Sequence, residues 1–262
     1  MEEQDLEVPK RILYEEIKKL RQSLGISYPV NMMQIVDGIE RIELFKEDLA
    51  TPGLNGIAYR ARKEGEQDII FLNSNRSEGE QNIDCAHELV HLTLHRNLET
   101  RRFNSREELL ASQPPELEWQ ADEGAAELIM PCKKFVPIFC LLVKICGDSW
   151  EMYESLKECM AILFKVTPQI IADRIEGLRY EIYQYQQGIS VDRFHLVSIA
   201  EQESNGIYIK SYNQHYEEIR QNDVLRDTYP APRSNRPRKT PKRTHPPVVS
   251  SESSSADQSA NL

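Results

Sequence analysis

The segment Cys85-Ala-His87-Glu88-Leu-Val-His91-Leu-Thr-Leu-His95 constrains the fold more than any other part of the chain. It reads as a core helix. Ile83, Ala86, Val90 and Leu94 form one stripe, and Cys85, Leu89 and Leu92 cover much of the remainder. Yet it carries three histidines and a glutamate, and polar side chains on a buried helix need partners. Within it stands His-Glu-x-x-His. Residues four apart differ by about 400° around a helix and about 6 Å along it, so His87 and His91 can reach one metal ion. Glu88 projects about 100° away from His87 and can face a water on that ion. Two ligands and a general base on one helix are the physical content of the zinc metallopeptidase motif. The competing reading is a core helix with incidental histidines, and it leaves them without partners. His95 lies about 12 Å beyond His87 along a continuous helix, too far to share the ion. No glycine follows His91 to turn the chain back, so His95 reads as packing or a second site.

A third ligand is expected from Glu116-Leu-Glu118-Trp-Gln-Ala-Asp122-Glu-Gly-Ala-Ala-Glu127-Leu-Ile-Met130-Pro131. With Glu118 at the origin of a helical wheel, Ala125 falls at about −20°, Ile129 at about 20° and Asp122 at about 40°. Glu118 and Asp122 thus share the apolar face, where an acid needs a cation or a donor. Glu118 completes a set of two histidines and one glutamate that leaves a position open for water. Asp122, one turn on, can accept a hydrogen bond from a liganding histidine and fix its tautomer. Glu116, Glu123 and Glu127 fall on the opposite face and read as solvated. Ala121, Gly124, Ala125 and Ala126 permit a close approach of the two helices.

The rest of the body alternates helical and strand-like patterns. Residues 9–24 suit a helix stopped by Gly25, and Met32 to Ile39 a second. Strand-like runs follow at Ile42 to Phe45, Gly56 to Arg60 and Asp68 to Leu72. Helices are expected over about 81–96 and 115–130, joined by a polar linker, and again through 134–188. Thr167 and Pro168 supply an N-cap and a first helical residue. Asn205-Gly206 suggests a hairpin in 194–212.

Charge divides the chain. From Tyr229 to Leu262 there are six basic and two acidic side chains, a net +4 within a total of −10, so residues 1–228 carry −14. That tail holds six of the 14 prolines and ends in a serine-rich run. It has too few large apolar side chains to offset the entropy of ordering, and we expect it to be disordered. The acidic body argues against direct nucleic-acid binding, leaving the basic tail as the place where it could occur. No apolar run approaches the ~20 residues that span a bilayer. Met1 to Asp5 is too acidic and polar for a secretory signal, and the five cysteines contain no CxxC pair. A cytoplasmic protein with buried thiols is the expectation.

The stretches HELVHLTLH and EWQADEGAAELIMP together resemble the ImmA/IrrE family of zinc metallopeptidases. The 27-residue step from His91 to Glu118 is similar to that family's spacing, and Gly56 to Asn73 resembles its paired strands. Val90, Asp122 and Gly124 depart from the family's usual Gly, Asn and Phe, and Asp84-Cys85 stands where Thr-Leu is common. The resemblance implies an α+β, zincin-like core over 1–135. In it a small sheet packs on an active-site helix and a second ligand helix. After it come a helical extension (136–188), a small hairpin or helix segment (189–228) and the tail (229–262). It implies one Zn2+ per chain on His87, His91 and Glu118, with Glu88 as catalytic base. Tyr59, Arg60 and Arg62 are candidate oxyanion or substrate contacts. It further implies a site-specific endopeptidase acting on a helix-turn-helix transcriptional repressor, a DNA-binding partner whose loss relieves repression. The alternative is a non-catalytic module of the same fold that holds a regulator or antitoxin, for which Glu88 has no use. A DNA-binding protein using residues 163–178 and the tail is a third reading, disfavoured by the −14 body.

Overall fold

In the computed structural model, residues 8–63, 65–98, 102–106 and 114–228 are described. Two helices open the chain, α1 (Lys10–Ser23) and α2 (Met32–Asp37). Three strands follow, β1 (Ile42–Glu47), β2 (Leu54–Tyr59) and β3 (Asp68–Asn73). Next are α3 (Glu78–Leu94), β4 (Arg102–Arg106) and α4 (Pro115–Ile129). The mixed sheet runs β1-β3-β2-β4. Strand β1 is parallel to β3, and β2 is antiparallel to both β3 and β4. Strand β4 lies within the stretch that reads from sequence as a polar linker only. Its residues, Arg-Phe-Asn-Ser-Arg, include a single large apolar side chain, so the strand pattern is invisible locally. Phe103 is buried and anchors it.

The remaining helices are α5 (Cys132–Cys146), α6 (Trp150–Phe164), α7 (Pro168–Gly177), α8 (Arg179–Gln186), α9 (Ile199–Ser204) and α10 (Tyr212–Thr228). Thr167 caps α7 as its sequence suggests, accepting from the Ile170 amide. The segment 194–212 contains a helix in place of the expected hairpin. Ser198 and Glu201 form a capping box at the start of α9. Gly206, at φ +68°, ends that helix, with the Ile207 amide returning to the Gln202 carbonyl at 2.8 Å. Asn-Gly therefore serves here as a helix stop. Residues 229–262, expected to be a disordered tail, lie outside the described residues.

One contiguous buried cluster runs from Leu13 in α1 to Tyr216 in α10. Helix α3 is central to it and packs against the sheet on one side and α4 on the other. Its first turn is fixed by a capping box between Ser77 and Glu80, a device worth about 1 kcal/mol. Asn82 ties it to its surroundings, accepting from the Met32 amide at 2.7 Å and donating to the Lys165 carbonyl at 2.9 Å. Gly124 lets three helices meet: a Cβ there would lie 3.1 Å from Ile17 of α1 and 3.3 Å from both Val90 methyls of α3. The two departures from the family pattern thus complement each other, bulk at 90 filling space left at 124.

The acidic residues of α4 correct the helical-wheel reading. Glu127 is buried and Glu123 nearly so, not solvated. Arg174 of α7 bonds both, and Tyr14 donates to Glu123. Lys10 joins the group through Glu181 at 2.9 Å. Both wheel positions face α1 and α7, which wrap the side of α4 turned away from α3. No helix among the described residues is long and apolar enough to cross a membrane.

Candidate metal centre

Helix α3 presents His87 and His91 one turn apart, and α4 brings Glu118 to them. The His87 Nε2 and His91 Nε2 atoms are 3.0 Å apart. Glu118 places one carboxylate oxygen 3.4 Å from the first and the other 3.5 Å from the second. All three residues are buried. Four ligands at about 2.0–2.2 Å from a tetrahedral centre stand about 3.3–3.6 Å apart, so the two sides to Glu118 match one face of such a site and the side between the histidines is slightly shorter.

The outward nitrogens determine which way the lone pairs point. His87 Nδ1 lies 2.8 Å from Asp122 Oδ1 and donates to it. His91 Nδ1 lies 2.9 Å from His95 Nδ1. With both outer nitrogens so engaged, the two Nε2 lone pairs and a carboxylate oxygen converge on one point. Three converging acceptors repel one another unless a cation lies between them, so the donor set fits a metal ion. Burial and the neighbouring carboxylates also set the charge on each ring. Burial opposes charge on His87, but the Asp122 and Glu118 carboxylates outweigh it and hold its pKa well above the ordinary imidazole value. Burial and the neighbouring His87 push His91 down to about 4. Burial would raise Glu118, yet hydrogen bonds from both histidines take it down to about 2.

Glu88 is fully buried on the sheet side of α3. It lies against Gly56 of β2, where a Cβ would fall 2.6 Å from the Glu88 Oε1. Any side chain at 56 would displace the carboxylate. From sequence Gly56 reads only as a strand residue, and this role is missed, although a glycine inside a strand pattern is itself a sign of close approach. Phe103 stacks on the His91 ring at 4.4 Å, and Gln120 reaches His95 at 3.2 Å. Sequence reasoning misses both contacts. A buried glutamine on a ligand helix is the available signal for the second.

Asp122 reaches His87 as expected, but from the exposed edge of α4, not from within its apolar face. The other candidates sit at the end of β2. Tyr59 packs edge-on against Phe71, with the Arg102 guanidinium over its ring. Arg60 donates to the Leu98 carbonyl at 2.7 Å, and the Arg62 amide is held by Glu66.

No curated protein is similar enough to the chain to be matched. A family model does match it, and its span takes in β1 through α6, most of α7 and every residue of the cluster. The chain belongs to the M78 family of metallopeptidases, whose model, described as an IrrE N-terminal-like domain, matches residues 40–176.

Proposed function

We propose that the protein is a zinc-dependent, site-specific endopeptidase whose substrate is another protein, a DNA-binding transcriptional repressor of the helix-turn-helix kind. The observation that carries this reading is the buried triangle of His87, His91 and Glu118 with Glu88 beside it. Those three side chains would hold one zinc ion. The chemistry such an ion supplies when bound is Lewis acidity toward water and toward a carbonyl oxygen. The chain supplies the proton handling. The Glu88 carboxylate, screened from bulk solvent and held in place under Gly56, takes a proton from the attacking water and returns it to the leaving amine. Asp122 accepts the His87 Nδ1 proton and keeps that ring in the tautomer that ligates through Nε2. Arg60 is committed to the Leu98 carbonyl, so Tyr59 is the better of the two β2 candidates for a substrate contact.

The acidic body, −14 before the tail, suits a basic partner by charge complementarity. The cytoplasm, where such regulators act, is the compartment this reading implies. The test is metal analysis of the wild type and of Glu88→Gln, each then incubated with the regulator encoded beside it. We expect about one zinc per chain in both, with cleavage by the wild type alone and a loss of about 10²–10⁴-fold in the variant. A wild type without stoichiometric metal overturns the reading. Binding of the regulator by both proteins with no cleavage by either establishes the non-catalytic module instead.

A further inference from the structure

The two liganding histidines are supported unequally. His87 leans on a carboxylate at the protein surface. His91 leans on His95, which is itself 3% exposed, and His95 leans on Gln120, 5% exposed. We infer that His95 and Gln120 are positioning residues that fix the tautomer of His91 and thereby set the metal affinity of the site.

The assignment follows from counting protons along the line. If His91 Nε2 faces the ion as a lone pair, its one proton is on Nδ1, which must donate. The atom 2.9 Å away is His95 Nδ1, which must then accept. His95 accordingly carries its proton on Nε2, and the group 3.2 Å away is the Gln120 amide oxygen, an acceptor. With His91 Nε2 turned to the ion, this is the direction in which every donor of the line meets an acceptor. A proton on His95 Nδ1 would oppose the proton on His91. Geometry therefore makes the neutral His95 imidazole a one-way relay. Phe103 closes the remaining side of His91 by stacking at 4.4 Å, so the ring is held in plane as well as in tautomer. His95 is eight residues beyond His87 on one helix, which excludes it as a ligand to the same ion. The relay gives a buried third histidine a purpose that packing alone does not require.

The inference rests on the reading of His87, His91 and Glu118 as metal ligands, and its test separates the two. Full-length protein is stripped with a chelator, and its zinc affinity is measured by competition with a chromophoric chelator. His95→Asn and His95→Leu have nearly the same shape, but only Asn keeps an acceptor where Nδ1 stood. Loss of an outer partner of a metal ligand costs about 10–100-fold in affinity. We expect that loss for His95→Leu and recovery to within about threefold of wild type for His95→Asn. Nitrogen NMR of the zinc-loaded wild type should show His91 protonated at Nδ1 and His95 at Nε2. Gln120→Met leaves both rings in place and should weaken zinc several-fold, which keeps the test decisive if His95→Leu fails to fold. Equal affinities for Leu and Asn, or His95 protonated at Nδ1, overturn the relay while leaving the ligand reading intact. Failure of the wild type to bind zinc overturns the ligand reading first.

Discussion

Helix α4 buries carboxylates on two of its faces, and the chain neutralises them in two different ways. Toward α1 and α7, Glu123 and Glu127 meet Arg174, and Lys10 bridges from α1 to Glu181. Two permanent cations face three carboxylates there, so one excess negative charge remains. Burial raises Glu127 to about 7 in spite of Arg174, and it raises Glu181 also, so a bound proton can neutralise the excess. Toward α3, Glu118 meets two imidazoles, which carry no permanent charge, at 3.4 and 3.5 Å. One cluster brings its cations from distant parts of the same chain and is closed. The other has the donor set of a metal site, which an ion from solution would complete. Burial of an acid alone thus does not mark function; the kind of partner beside it does.

That contrast is most exposed to a pair of truncations on the one helix. Glu118→Ala should lower zinc affinity by more than the ~100-fold that bounds loss of an outer partner, with the protein still folded. Glu127→Ala should leave zinc stoichiometry unchanged and lower the unfolding midpoint. Zinc titration and denaturant unfolding of both variants check this, and a Glu118→Ala protein that binds zinc like wild type would dissolve the distinction. Next in size is Arg174→Leu. It strips the closed cluster of a cation that bonds two carboxylates and the Met130 carbonyl at 3.0 Å. Removing one partner from a buried ion pair costs about 3–5 kcal/mol. Urea unfolding should show a loss of that order, with full zinc occupancy in the folded fraction. A folded variant lacking zinc would mean that the two faces of α4 are coupled.

The amino-acid sequence reveals one of these clusters far better than the other, for a physical reason. His87, Glu88 and His91 lie within one helical turn, and Glu118 and Asp122 within another, so helical periodicity alone aligns them. The order of helices and the first three strands is legible on the same local terms, as are the Thr167 cap and the glycine stops. Arg174 lies 51 and 47 residues from the two acids it neutralises, and no periodicity links them. A wheel sorts residues into two faces, but it cannot say that both faces are covered. That is why Glu123 and Glu127 look solvated from sequence. Strand β4 is missed because pairing with β2, not its own pattern, makes it a strand. Asn205-Gly206 is ambiguous in kind: the positive φ at Gly206 serves a hairpin or a helix end, and the Ser198 cap upstream decides for the helix. The close approach of Gly56 to Glu88 is a contact between sheet and helix that only assembly creates.

The smallest effect concerns the excess proton of the closed cluster. A carboxyl whose folded pKa stands above its unfolded value binds its proton more tightly in the native state. Glu127 rises from 4.5 to about 7, chiefly through burial. Below pH 4.5 the group is protonated in both states and its contribution is complete. Between about 4.5 and 7 the unfolded chain releases the proton while the native state keeps it, so stability falls as pH rises through that window. Above about 7 the loss is complete. The carboxamide of a Glu127→Gln variant imitates the protonated acid and can still accept from the Cys132 amide, as Glu127 does at 2.9 Å. The variant should therefore match wild type near pH 4.5 and gain on it steadily toward about pH 7.5, by about 3 kcal/mol. Differences between paired unfolding curves remove titrations common to both proteins, including those of the metal-site histidines. Glu123 is held below its ordinary value by Lys10 and Arg174, although burial opposes this. It loses its contribution only as pH falls below 4.5, outside the window. A difference curve that stays flat from about pH 4.5 to 7.5 would show that Glu127 is ionised throughout. The closed cluster would then carry its excess charge uncompensated, and the contrast with the metal face would be one of geometry alone.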